Sequence, residues 1–77
     1  MTRLAGLKAG DLVKFLMRLG FRKKRQKGSH LFMEHPDGRT TVVPMHSRED
    51  IGRGLFRQIL REIELSPEEF RKFLGKP

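Results

Sequence analysis

The residues best suited to chemistry lie in one short run, Arg25-Gln26-Lys27-Gly28-Ser29-His30. Histidine can both accept and release a proton near physiological pH, so His30 is a candidate catalytic residue. A cluster of cations precedes it and would attract a phosphodiester: Arg22, Lys23, Lys24, Arg25 and Lys27. We therefore expect His30 to be the reactive group and the basic residues to hold a phosphate. A solvated loop histidine beside lysines is the plainer alternative.

The bulk composition favours a small protein that binds a polyanion. The chain has 77 residues, with 17 Lys and Arg against 9 Asp and Glu, a formal net charge of +8 and a pI near 10.9. This length supports one domain, expected over residues 1–77 with its core at about 7–74, and no separate cofactor domain. So large an excess of positive charge favours a nucleic-acid partner, although a merely basic soluble protein remains the alternative.

Cysteine content and hydropathy narrow the class of protein further. There is no cysteine, so disulfides and thiolate metal sites are excluded. No run approaches the roughly 20 apolar residues of a membrane span, and the N-terminus does not resemble a signal peptide. We expect a cytoplasmic protein without a metal, a small-molecule cofactor or a membrane partner. The spacing of the three histidines does not match a recognised set of zinc ligands, so we do not expect a zinc site.

The elements that must position His30 can be read from apolar periodicity and turn residues. A helix is predicted over residues 9–19, with Gly20 as its stop and an apolar stripe formed by Leu12, Val13, Phe15, Leu16, Met17 and Leu19. Strands are predicted at residues 21–26, 31–33 and 40–43. Alternation in the first would place Phe21, Lys23 and Arg25 on one face and Arg22, Lys24 and Gln26 on the other.

Turn and capping signals complete the pattern. His35-Pro36-Asp37-Gly38 predicts a hairpin turn, and Pro44 should end the third strand. Residues 47–50 resemble a helix cap before an apolar stripe formed by Leu55, Phe56, Ile59, Leu60 and Ile63. Ser66-Pro67-Glu68-Glu69 predicts a last helix whose Phe70, Phe73 and Leu74 pack inward. The expected fold is α+β, in the order α-β-β-β-α-α, with three antiparallel strands and the helices on one face. The face of the middle strand that carries Phe32 cannot be assigned from periodicity.

Several of these segments together resemble HicA-type toxins, the RNA-cleaving half of the HicA–HicB toxin–antitoxin pair. They are Leu19-Gly20-Phe21, the run ending Gly28-Ser29-His30, the His35–Gly38 turn, Val43-Pro44-Met45-His46 and the segment 54–60. The resemblance extends from about Leu7 to Phe70. It implies a fold like that of double-stranded-RNA-binding domains, a metal-free ribonuclease acting on mRNA, and neutralisation by a cognate HicB-type antitoxin. It also implies that His30 is the catalytic histidine.

The chain departs from the family pattern in two places. Gly54-Leu55 stands where a Gly-Thr pair is expected, so any polar contact of that hydroxyl is missing. The segment Leu4-Ala5-Gly6-Leu7 also makes the N-terminus longer than the minimal pattern. Neither departure touches the run around His30.

RNA cleavage without a metal fits these residues, because RNA carries its own nucleophile, the 2′-hydroxyl. His30 would act as general base on that hydroxyl or as general acid on the leaving 5′-oxygen. The candidate RNA-binding residues supply charge and close approach: Lys23, Lys24, Arg25, Lys27, Gly28 and Ser29. Ser29 either donates a hydrogen bond or is only a small residue in a tight turn. The sequence does not identify a second acid or base, since His35 is expected at a strand end and His46 in a loop.

Two alternatives from other classes stay open. The first is a non-catalytic RNA-binding module, in which the same surface grips RNA and His30 is incidental. The second is a DNA-binding regulator, since Arg53, Arg57 and Arg61 could line a recognition helix. Cleavage of RNA in EDTA by the wild type but not by a His30 variant discriminates the enzyme from both.

Overall fold

The computed structural model describes residues 7–45 and 51–73, apart from the side chains of Pro67 and Phe73. Its elements follow the predicted order α-β-β-β-α-α, which confirms the α+β fold class. They are α1 (Ala9–Arg18), β1 (Arg22–Lys27), β2 (His30–Glu34), β3 (Thr40–Pro44), α2 (Arg53–Glu62) and α3 (Pro67–Phe73). The three strands form one antiparallel sheet in the order β1-β2-β3.

Helix α1 ends where the sequence places its stop. Gly20 has a φ of +104°, its N–H donates to the carbonyl of Met17 at 3.0 Å, and the N–H of Phe21 donates to that of Leu16 at 3.0 Å. These two bonds are those of a Schellman motif, which requires a left-handed residue that glycine adopts without strain. The predicted stripe is buried except at its margin, where Leu19 is half-buried and Met17 is 50% exposed.

The predicted alternation along β1 is wrong, because the strand contains a bulge. Lys23 pairs with Met33 whereas Arg25 pairs with Phe32, so the pairing shifts at Lys24. One extra residue in a strand reverses the face taken by every residue after it. Lys23 and Arg25 therefore lie on opposite faces of the sheet, and all of β1 is exposed.

The two faces of the sheet differ sharply. The helix-facing positions of β2 and β3 are buried, namely Leu31, Met33, Thr41 and Val43, and the alternate positions are half-buried or exposed. All three helices contribute to the core on that side, through residues that include Leu12, Phe15, Leu16, Phe56, Ile59, Leu60 and Phe70. The opposite face, which we call the open sheet face, carries no helix from the described ranges 7–45 and 51–73.

The turn between β2 and β3 forms as predicted. The N–H of Gly38 donates to the carbonyl of His35 at 2.9 Å, and Gly38 takes a φ of +100°. Pro44 is the last residue of β3, as expected of a residue without an N–H for the ladder.

The last two helices match their sequence signals within the described residues. In α2 the side chains of Phe56, Ile59 and Leu60 are buried, while Arg53, Arg57 and Arg61 are exposed. Ser66 and Glu69 form the predicted capping box: the Ser66 N–H donates to Glu69 Oε1 at 2.9 Å, and the Glu69 N–H to Ser66 Oγ at 3.1 Å. The predicted cap at 47–50 and the inward packing of Phe73 and Leu74 lie outside the described residues. Across the described part of the chain, the helices are too short or too polar to cross a membrane.

Candidate active site

A two-residue turn presents His30 at the edge of the open sheet face. Gly28 and Ser29 join β1 to β2, and only Gly28 of the two has a positive φ, at +60°. Glycine at the first position of a two-residue hairpin is typical of a type II′ turn. The N–H of Met45 donates to the carbonyl of Ser29 at 2.6 Å, which attaches the turn to the end of β3. The turn therefore holds His30 on a fixed backbone.

The imidazole of His30 is accessible. His30 is exposed and lies on the face opposite the buried side chains of Leu31 and Met33. No residue of the described ranges hydrogen-bonds or ion-pairs with this ring. The ring is thus open to a molecule that approaches the open sheet face.

Strand register surrounds His30 with two rows of side chains. Lys27 on β1 and Pro44 on β3 are its direct partners. The next row on the same face consists of Arg25, Phe32 and Val42. Directly opposed side chains on one face lie about 5 Å apart at Cβ, so Lys27 is an immediate neighbour of His30.

Lys23 and Lys24 lie farther from His30 than the other predicted phosphate-binding residues. Lys23 pairs with Met33, and Lys24 ion-pairs with Glu34 at 3.7 Å. At about 3.3 Å per residue, these β2 positions lie roughly 10–13 Å along the strand from His30. The hairpin thus gathers Arg25, Lys27, Gly28 and Ser29 around His30, and it places Lys23 and Lys24 farther along β1.

His35 is built into the fold. Its Nε2 lies 3.0 Å from the carbonyl of Leu19, which can only accept, so Nε2 carries the hydrogen. Its Nδ1 accepts the N–H of Asp37 at 3.1 Å when neutral and faces Asp37 Oδ1 at 3.0 Å when charged. The half-buried ring also packs edge-on against Phe21, with centroids 5.1 Å apart. His35 therefore joins the end of α1 to the β2–β3 turn, as a structural strand-end residue would. His46, the remaining histidine, lies outside the described residues.

Asp37 supports this junction from the turn. It accepts the backbone N–H of Arg39 at 3.0 Å and pairs with the Arg39 guanidinium at 2.8 Å. The backbone hydrogen bond and then the guanidinium lower the pKa of Asp37 below its ordinary value. Within residues 7–45 and 51–73 there is no cluster of three or more His, Asp or Glu able to bind a metal.

Phe32 is the residue near His30 that the sequence did not assign. It is half-buried on the open sheet face, and the guanidinium carbon of Arg25 lies 5.1 Å from its ring centroid. The signal was available in the alternation of β2, because residues 30, 32 and 34 must share a face. If His30 is taken to be exposed, this alternation predicts that Phe32 lies beside it on the same face.

Comparison with known protein families identifies the family of the chain. The family described as HicA toxin of bacterial toxin-antitoxin matches residues 9–65. The match runs from the start of α1 to just beyond α2 and includes every candidate site residue. No curated protein matches the chain. Since the family covers most of its length, the chain belongs to the HicA toxins, the toxin members of bacterial toxin–antitoxin pairs.

Proposed function

We propose that the protein is a metal-independent endoribonuclease that cleaves mRNA, with His30 as its general acid or base. The observation that carries the proposal is the exposed imidazole of His30 directly opposite Lys27 on the open sheet face. A phosphodiester placed over this pair meets a proton-transfer group and a cation together. Membership of the toxin family supports a reaction that stops growth.

The chemistry needs few protein groups. The 2′-hydroxyl oxygen attacks the adjacent phosphorus, the bond from phosphorus to the 5′-oxygen breaks, and the products are a 2′,3′-cyclic phosphate and a 5′-hydroxyl. One proton leaves the 2′-hydroxyl and one is delivered to the 5′-oxygen. His30 performs one of these transfers, a contribution of roughly 10²–10⁴ in rate. His35 is unsuited to the other transfer, because both of its ring nitrogens face groups of the fold.

The cations beside His30 stabilise the charge that develops during cleavage. The transition state carries more negative charge on the phosphoryl oxygens than the substrate does, so nearby cations favour it. Lys27 and Arg25 share the face of His30, and both are exposed. Gly28, which has no side chain, allows the backbone of the turn to approach the phosphate.

The first experiment tests the catalytic role of His30. The protein is incubated with single-stranded RNA in EDTA, beside His30→Ala and the control Lys14→Ala, which removes an exposed cation on α1. We expect cleavage by the wild type and Lys14→Ala, ends bearing a 2′,3′-cyclic phosphate, and a loss of at least about 10² in rate for His30→Ala with RNA binding retained. Binding without cleavage by all three proteins would instead support a non-catalytic RNA-binding module.

The antitoxin of the pair is, in this proposal, a HicB-type protein that covers the open sheet face. A surface with a net positive charge is complemented by an acidic one, which also speeds association. We expect the purified toxin–antitoxin complex to lack ribonuclease activity and to regain it when the antitoxin is degraded. Full activity in the intact complex would contradict this mode of inhibition.

A further inference from the structure

One aromatic ring stands apart from the others in the described part of the chain. Four phenylalanines are buried in the core, namely Phe15, Phe21, Phe56 and Phe70. Phe32 instead lies half-buried on the open sheet face, one row from His30. We propose that Phe32 and Arg25 form a nucleobase-binding subsite that positions RNA for cleavage at His30, an inference that rests on the proposed ribonuclease function.

The surroundings of Phe32 suit a flat, electron-rich ligand attached to an anion. Arg25 on β1 and Val42 on β3 flank the ring in one row, with the guanidinium carbon 5.1 Å from the ring centroid. These side chains line a depression together with Lys24 and Thr40. An aromatic ring and a guanidinium plane are the two surfaces on which unpaired bases stack.

The position of the subsite relative to His30 fits a base next to the scissile phosphate. Residues two apart on a strand face the same way and are separated by about 7 Å. A phosphate held at Lys27 and His30 therefore places the neighbouring base at the row of Phe32 and Arg25. Bases within a duplex are already stacked on each other, so this geometry selects single-stranded RNA.

Arg25 has a plainer role that the test must separate from base binding. Its aliphatic stem and guanidinium could serve only to cover Phe32, a common arrangement of long cationic side chains on apolar surfaces. Loss of that cover would alter stability. Loss of the cover would not make the affinity for a ribose-phosphate chain depend on whether that chain carries bases.

The experiment measures binding to two ligands of equal length and charge: an eight-nucleotide single-stranded RNA, and the same ribose-phosphate chain without bases. All proteins carry His30→Ala so that the RNA stays intact. The parent protein should bind the RNA roughly 5- to 100-fold more tightly than the base-free chain, in line with one stacked base. Phe32→Leu should lose most of this preference, and Phe32→Trp should retain it.

Val42→Ala is the matched control, because it removes apolar surface from the same row without removing a ring. It should keep the preference for bases, and circular dichroism should show all variants folded. An undiminished preference in Phe32→Leu, or equal affinity of the parent for both ligands, overturns the subsite. Failure of the parent to bind or of the wild type to cleave RNA would instead overturn the proposed function.

Discussion

At the scale of single residues, the site depends on which cation is near the imidazole. Lys27 lies directly opposite His30, whereas Lys23 pairs with Met33 and Lys24 ion-pairs with Glu34, three and four residues farther along β2. Proximity in sequence does not predict distance from His30, because pairing in a hairpin brings some distant residues together and leaves some nearby residues apart. The pairing register decides which of the five cations between residues 22 and 27 can reach the phosphate.

Removal of Lys27 should therefore slow cleavage more than removal of another exposed lysine. We expect Lys27→Ala to lower the cleavage rate roughly 10- to 100-fold, less than the 10²–10³ of a buried charge-stabilising donor, because water screens an exposed cation. Lys14→Ala on α1 removes the same charge and should change the rate less than about twofold. Single-turnover assays of the two variants compare them directly, and equal losses would mean that only net charge matters.

At the scale of elements, the junction between α1 and the β2–β3 turn depends on a glycine. Gly20 takes a φ of +104°, and a Cβ there would lie 2.9 Å from Nε2 of His35. An alanine at position 20 would therefore be strained both by its positive φ and by the close contact of its Cβ with the ring of His35. We expect Gly20→Ala to lower the free energy of unfolding by about 2 kcal/mol or more, measured by urea denaturation.

Gly10 provides the matched comparison on the same helix. It lies within α1, and a Cβ there would meet no atom within 4 Å. Alanine has the better helix propensity, so Gly10→Ala should raise the free energy of unfolding by about 0.5 kcal/mol. If the two alanine variants shifted stability in the same direction, the assigned role of the Gly20 turn would be wrong.

The cap of α3 should make stability depend on pH in the acid range. The N–H of Ser66 donates to Glu69 Oε1. This hydrogen bond is the main cause, and the hydroxyl of Ser66 a second cause, of a Glu69 pKa below its ordinary value. A carboxylate whose pKa is lower in the folded chain stabilises the fold above its unfolded pKa, and this stabilisation is lost as the pH falls through the folded value. Glu69→Gln should thus be less stable than the wild type at pH 7, and the difference should shrink toward pH 3. Urea titrations of both proteins across this range would show a constant difference if the cap contributed nothing.

Sequence alone predicted most of the elements because their signals are local. Gly20, the His35–Gly38 turn and the Ser66–Glu69 cap each depend on a few adjacent residues, and all three form as expected. The faces of β1 were predicted wrongly because the bulge at Lys24 is fixed by pairing with β2 and not by the composition of β1. Phe32 escaped assignment because the predicted strand 31–33 is apolar at every position, whereas the observed β2 also includes His30 and Glu34, which share the face of Phe32.

At the scale of the whole molecule, the net charge of +8 does not itself say which surface faces RNA. Arg25 and Lys27 lie on the open sheet face, whereas Arg53, Arg57 and Arg61 are exposed on α2. Both sets would attract a polyanion from a distance, since long-range steering depends on the summed field. Only the cations that contact phosphates release counterions when the complex forms, and the salt dependence of binding counts those contacts.

Two double variants of equal charge can therefore identify the binding face. Arg25→Gln with Lys27→Gln, and Arg53→Gln with Arg57→Gln, each lower the formal net charge by two, from +8 to +6 (8 − 2). For single-stranded RNA each phosphate contact contributes about 0.7 to the slope of log affinity against log salt, so the sheet-face pair should reduce that slope by about 1.4 and the α2 pair by close to zero. Binding is measured in the His30→Ala background between about 50 and 200 mM salt. The opposite result, a flattened slope for the α2 pair alone, would place the RNA on α2 and would contradict the assignment of the open sheet face as the RNA-binding surface.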